Sequence, residues 1–124
     1  MTQMSKATRI FLVFSGLFGC AGVGLAAASA HGGGDPKFFA FASAMCLAHA
    51  PALLALALAG RAVRTAALAG TLMILGTLLF AGDLVALRLL GSGLFPYAAP
   101  TGGWAMMLGW LSLAASSILR TKDV

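Results

Sequence analysis

Apolar positions in this chain neither alternate nor follow a single helical stripe; they fill long runs. Residues 10–34, 38–60, 65–82 and 89–119 contain no Asp, Glu, Lys or Arg. A helix that is apolar all round belongs to a large buried core or to a membrane, and one chain of 124 residues has no such core to offer. A hydrocarbon layer of about 30 Å needs about twenty helical residues at 1.5 Å each. Four segments meet that length: 10–30, 38–59, 65–87 and 101–119. The breaks between them are turn-forming: a Gly/Pro turn at 31–37, a short basic turn at 60–64 and a longer Gly/Pro loop at 91–100. Short connections force neighbouring helices to run in opposite directions. The pattern predicts an all-α integral membrane protein, four antiparallel transmembrane helices in a compact bundle, with 1–124 as a single domain.

Composition removes the soluble alternatives. Charged residues make up 9% of the chain and apolar ones 60%, against about 25% charged in a typical soluble domain. The net charge of +5 is spread singly or in pairs at the ends of apolar runs and forms no basic stripe, so it indicates membrane anchoring and no nucleic-acid partner. Cys20 and Cys46 both lie inside apolar runs without a CxxC or Cys/His cluster, which points to packing thiols and no metal. Lys6, Arg9 and the run that follows, with Ala28-Ser29-Ala30, have the outline of a secretory leader. The run is long for a leader core and right for a span, so the segment is read as a retained helix.

With four spans, Lys6, Arg9, Arg61, Arg64, Arg120 and Lys122 share one side, and only Lys37 and Arg88 lie on the other. This excess predicts a bacterial inner membrane protein with both termini cytoplasmic.

Lipid supplies no hydrophobic force between helices, so close association needs small residues that let backbones touch. Gly16, Cys20 and Gly24 recur every fourth residue, and Ala27 and Ala28 continue their face. Gly82, with Gly70 and Gly76, and Gly109, with Ala105, Ser112 and Ser116, form weaker versions. These residues are expected to pack within the bundle; the alternative is a face that binds a second protein.

Three polar residues in or beside the spans are candidate sites. His49 lies about eleven residues into its span, where polar groups are costly, and Pro51 frees the carbonyl of Leu47 as a nearby acceptor. Asp83 is the only carboxylate within a span, about a turn below Arg88, and is expected to meet His31, Lys37 or water. His31 closes the first span, about 16 Å above His49 by helical rise, so one chain cannot hold a haem between the two. No cofactor is expected. No nucleophile elbow, phosphate loop, metal-ligand pair or paired carboxylates appear, and the chain is not expected to be an enzyme. Phe95, Tyr97, Trp104 and Trp110 read as interfacial and packing aromatics.

In order, Ala30-His31-Gly32, Leu47-Ala48-His49-Ala50 with Leu53-Leu54, Leu79-Phe80-Ala81-Gly82-Asp83-Leu84, Pro100-Thr101-Gly102-Gly103 and Leu108-Gly109-Trp110 resemble the YgdD-like small integral membrane proteins, the family called domain of unknown function four-two-three. The resemblance covers nearly the whole chain. It departs where the family tends to carry Tyr-Gln before its span-two His and this chain has Met45-Cys46, and where Asp83 replaces a Ser-like residue. What it implies is a four-helix membrane protein of unestablished activity. The expected role is a structural or accessory component that packs against itself or a larger membrane complex. The alternative is a small transporter or proton-linked permeation unit using His49 and Asp83, against which the missing polar pore stripe argues.

Overall fold

The computed structural model describes residues 3–119. They form four helices and no strand: α1 Lys6–His31, α2 Lys37–Ala59, α3 Ala66–Leu90 and α4 Ala98–Ala115. Short 3-10 turns follow α2 at Gly60–Ala62 and α4 at Ser116–Ile118. The first three helices are long and apolar enough to cross a membrane. α4 is shorter, at 18 residues, and its first turns carry Pro100, Thr101, Gly102 and Gly103.

The ends of the helices follow local chemistry. Ser5 caps α1 by accepting the Thr8 N–H at 3.1 Å, the usual service of a hydroxyl at an N-cap. Asp35 accepts the Lys37 N–H at the start of α2 at 3.0 Å. Gly91 ends α3 in the left-handed region at φ 76°, which a residue without Cβ enters freely. α4 begins at Ala98, three residues before the expected 101, because Pro100 is tolerated in a first helical turn whose N–H groups have no partner four residues back.

Neighbouring helices pack in chain order, α1 on α2, α2 on α3 and α3 on α4. Hydroxyls and glycines make the closest approaches. On the α1–α2 seam the Ser43 hydroxyl donates to the Gly22 carbonyl at 2.6 Å, and the Ser15 hydroxyl to that of Ala50 at 2.7 Å. Gly22 lies under Leu47, whose side chain a Cβ would strike at 2.6 Å. On the α3–α4 seam backbone meets backbone: a Cβ on Gly76 would lie 2.6 Å from the Gly102 carbonyl oxygen, and one on Gly102 the same distance from that of Gly76. Further along, Gly109 fits against Ala69 and Met73. The Thr65 hydroxyl donates to the Ser112 carbonyl at 2.7 Å, and the Arg64 N–H to the Ser116 hydroxyl at 3.0 Å. The core is built from Ala42, Cys46, Leu53, Ala69, Met73 and their neighbours, with Phe11 and Phe18 contributed by α1. Phe11 covers Gly70, where any side chain would collide with its ring.

Burial is uneven. α3 buries eleven of its 25 residues, whereas α1 buries only Phe11, Phe18 and Gly22 of its 26.

Candidate functional site

Asp83 sits in the penultimate turn of α3 and is 6% exposed. Its Oδ1 accepts the Leu94 N–H at 2.8 Å and its Oδ2 the Ala99 N–H at 3.2 Å. The geometry explains why α4 starts where it does. Tyr97, at its N-cap, is the only non-glycine residue with positive φ among those described, at 66°, and makes no side-chain cap. The missing cap comes from another helix: the carboxylate of α3 takes an N–H in the first turn of α4, where the helix dipole also favours negative charge. Gly93 lets the loop close down, since a Cβ there would collide with Asp83 Oδ1. The partners of Asp83 are therefore backbone N–H groups, and not the expected His31 or Lys37 side chains. No cation among the described residues makes an ion pair with Asp83; Lys37 instead meets the exposed Asp35 at 3.5 Å.

Arg88, one turn later, works on the other loop at this end of α3. Its guanidinium donates to the Gly33 carbonyl and lies over the Phe39 ring at 5.5 Å. Neither Asp83 nor Arg88 pairs with the other; each fastens one inter-helix loop through backbone. In the 31–37 loop, the Lys37 backbone N–H bonded to Asp35 holds that carboxyl below the usual carboxylate range, helped by the Lys37 and Arg88 charges. His31 is exposed at the last residue of α1.

His49 is 3% exposed. The indole Nε1–H of Trp110 donates to its Nε2 at 3.1 Å, and its Nδ1 lies 2.8 Å from the Met45 carbonyl. An indole can only donate, so Nε2 accepts and the imidazole proton belongs on Nδ1, directed at Met45. The acceptor is the carbonyl four residues back along the helix and not that of Leu47 beside Pro51. Trp110 thereby ties α4 to α2. Its spacing from His49 left no local signal in the sequence, where it read only as a packing aromatic.

Of the small residues, Gly109 is buried on the α3–α4 seam, and Gly82 meets Leu94 at ordinary contact distance, 3.5 Å from an added Cβ. Gly16, Cys20 and Gly24 behave differently. No atom lies within 4 Å of a Cβ placed on Gly16 or Gly24, and Cys20 is exposed. At 100° per residue they lie on the side of α1 opposite Phe11, Phe18 and Gly22, so they do not pack against any of the other described helices, contrary to the expectation for one bundle. The residues that do allow close approach, Gly22, Gly76 and Gly102, are less regularly spaced.

No group of three or more His, Cys, Asp or Glu able to hold a metal occurs among the described residues. The arrangement defines a class: a small all-helical protein with three candidate membrane-crossing helices, whose intrahelical polar groups hold the chain's own segments together. Residues 25–103 match the family of proteins of unknown function DUF423, and the chain belongs to that family. The match takes in His49, Asp83 and the loop that Asp83 fastens. No curated protein and no solved structure gives a significant match.

Proposed function

We propose that this protein is a non-catalytic structural or accessory component of the bacterial inner membrane, assembled through the outward face of α1. The observation that carries the reading is the position of Gly16, Cys20 and Gly24, a small-residue face directed away from the chain's own helices. Small residues spaced by four let helices in lipid approach closely, and none of the described helices of this chain does so here. The partner is a second copy of this chain or a helix of a larger membrane complex. The commitments of Asp83 to two backbone N–H groups and of both His49 nitrogens to Trp110 and Met45 support a holding role over transport.

The reading includes four antiparallel spans with both termini in the cytoplasm. The order of contacts supports it: Ser15 pairs with Ala50 while the later Gly22 pairs with the earlier Ser43, and Gly76 pairs with Gly102 while Ala69 pairs with Gly109. Lys6, Arg9, Arg61 and Arg64 fall on the cytoplasmic side of this topology; Arg120 and Lys122, assigned to the same side, lie outside the described residues. α4 is the shortest span, and the turn at Ser116–Ile118 lengthens it.

Oxidative cross-linking in native membranes tests the assembly. Cys20 is exposed and Cys46 buried, so a self-contact through this face yields a disulfide-linked dimer that Cys20→Ala abolishes and Cys46→Ala spares. A heteromeric contact instead yields a larger adduct, again dependent on Cys20. Absence of any Cys20-dependent adduct, with a monomer in mild detergent, overturns the reading. A periplasm-active reporter placed after Val124 tests the topology: activity there, with none in the loop around Ser92, overturns it.

A further inference from the structure

Of the contacts that join one helix to the next, the one made by Asp83 can be undone by a single proton. An ionised carboxyl only accepts hydrogen bonds, and both oxygens are in use: Oδ1 takes the Leu94 N–H and Oδ2 the Ala99 N–H. Once protonated, the group keeps one carbonyl acceptor, while its other oxygen becomes a hydroxyl that faces an N–H with a proton of its own. One of the two N–H groups then loses its acceptor, which is costly where water cannot replace it.

The held segment is poised to leave. Tyr97 stands at φ 66°, a left-handed conformation that is strained for a residue with a Cβ. Its side chain is 79% exposed, so packing of the ring does little to offset the strain. The bonds to Leu94 and Ala99 fall on either side of Tyr97 and do offset it. A proton also has a route in: Asp83 lines an opening of about 510 Å³ together with Leu87 and residues 93–97, of which Phe95 and Tyr97 are exposed.

The other titratable groups of the elements around Asp83 are engaged elsewhere. Arg88 holds Gly33 and covers Phe39, Lys37 meets Asp35, and His31 is exposed at the end of α1. On α2, Cys46 lies in the core and His49 is bonded to Trp110 and Met45; α4 carries no titratable side chain. None of them forms an ion pair with Asp83 that would survive its protonation or hold the loop in its place.

We infer that Asp83 is a proton-operated latch: a proton taken from water in this opening releases the 91–97 loop and the first turn of α4 from α3. The latch is closed while the carboxyl is ionised and opens as pH falls through its titration. It involves α3 and α4 and is independent of the α1 contact proposed above.

A nitroxide on Ser92→Cys, in a Cys20→Ala/Cys46→Ala background in phosphatidylcholine nanodiscs, reads the loop without a pH-dependent labelling step. An immobile spectrum is expected at neutral pH. On acidification to about pH 3, below the ordinary Asp value of about 3.9, a mobile component should replace most of it along a reversible one-proton curve. Asp83→Asn should be mobile at every pH, and Asp35→Asn should leave the transition in place. An unchanged spectrum over this range, a transition that survives Asp83→Asn, or one that Asp35→Asn removes each overturns the latch. If the variants fail to fold, the amide signals of Leu94 and Ala99 in the wild-type protein are followed through the same titration. A shared midpoint for the two supports the latch, and separate midpoints or no movement overturn it.

Discussion

The α3–α4 seam and the outer face of α1 are built from the same kind of residue and used in opposite ways. On the seam, Gly76 and Gly102 bring two backbones so close that a Cβ on either would lie 2.6 Å from the other's carbonyl oxygen. On α1, Gly16 and Gly24 would meet nothing within 4 Å. The regular four-residue spacing belongs to the empty face and the irregular spacing to the full one. A small-residue repeat therefore marks a surface able to accept a helix without saying whether that helix belongs to the same chain. On the seam, polar chemistry makes the choice: Asp83 draws the 91–97 loop and the start of α4 onto α3, and Trp110 reaches His49. Among the described residues nothing comparable draws a helix onto the outer face of α1.

The strongest way to break the comparison is Gly76→Ala. Its methyl meets the Gly102 oxygen and the Met106 backbone nitrogen, at 2.6 and 2.7 Å, and these cannot rotate away. Overpacking of this kind costs about 1–3 kcal/mol, and the backbone partners put this variant at about 3 kcal/mol. The unfolding midpoint in mild detergent measures the loss. A midpoint equal to wild type contradicts the close approach.

Asp83→Asn comes next. An amide offers one acceptor oxygen where the carboxylate offers two, so one buried N–H of Leu94 or Ala99 loses its partner and faces an NH2 group. Hydrogen bonds to charged groups contribute about 1.5–3 kcal/mol, and a loss of about 2 kcal/mol is expected. Hydrogen exchange at Ala99 rises with it, while exchange in α1 stays unchanged. A uniform rise along the chain contradicts the assignment of Asp83 as the cap of α4.

How much of this was legible in the sequence depends on whether the cause was local. The four helical segments follow from run length and hydropathy, but their ends lie elsewhere than the apolar runs alone indicate: α1 starts at Lys6, four residues before 10, because Ser5 caps it, and α3 runs three residues past 87 to stop at Gly91. The polar residues that matter were also visible, since Asp83 and His49 stand out in apolar runs. Their partners were not. Asp83 reaches eleven and sixteen residues ahead, and Trp110 lies 61 residues from His49. The partners of Asp83 are main-chain N–H groups, which every non-proline residue has. The same limit applies to Gly102, whose value comes from Gly76 on another helix, although the Gly102-Gly103 pair inside a helical run was a signal, because glycine there weakens a helix unless packing compensates.

Asp35 sharpens the comparison at smaller amplitude. It gives α2 locally what Asp83 gives α4 from a distance, but it is exposed where Asp83 is buried. Its carboxyl is held low chiefly by the Lys37 N–H. For a lowered carboxyl the stabilisation is complete above the ordinary carboxylate range and disappears as pH falls through the lowered value. Fraying of the first turn of α2 is thus expected on acidification below that range, and Asp35→Asn should remove the pH dependence. Resolved amide signals of Lys37 and Phe38 followed through an acid titration measure it. An Asp35 carboxyl titrating at or above the ordinary value contradicts the contact.

The smallest effect on folding should come from Gly24→Leu. Leucine on a seam glycine would force helices apart, but at Gly24 the new side chain enters space that the chain leaves open, and leucine is among the better helix formers while glycine is about 1 kcal/mol worse than alanine. The unfolding midpoint of the monomer in detergent should therefore stay the same or rise slightly. Association should respond in the other direction, because a helix partner that needs a close backbone approach cannot seat against a leucine. Cys20 cross-linking in membranes should fall to the level of Cys20→Ala, while Gly24→Ala, which keeps the face small, should retain most of it. The two readouts separate the uses of small residues that the molecule combines. Lowered monomer stability assigns Gly24 to a contact inside the chain. Undiminished cross-linking shows that the contact at Cys20 does not depend on a small residue at Gly24, and overturns the close-packed face.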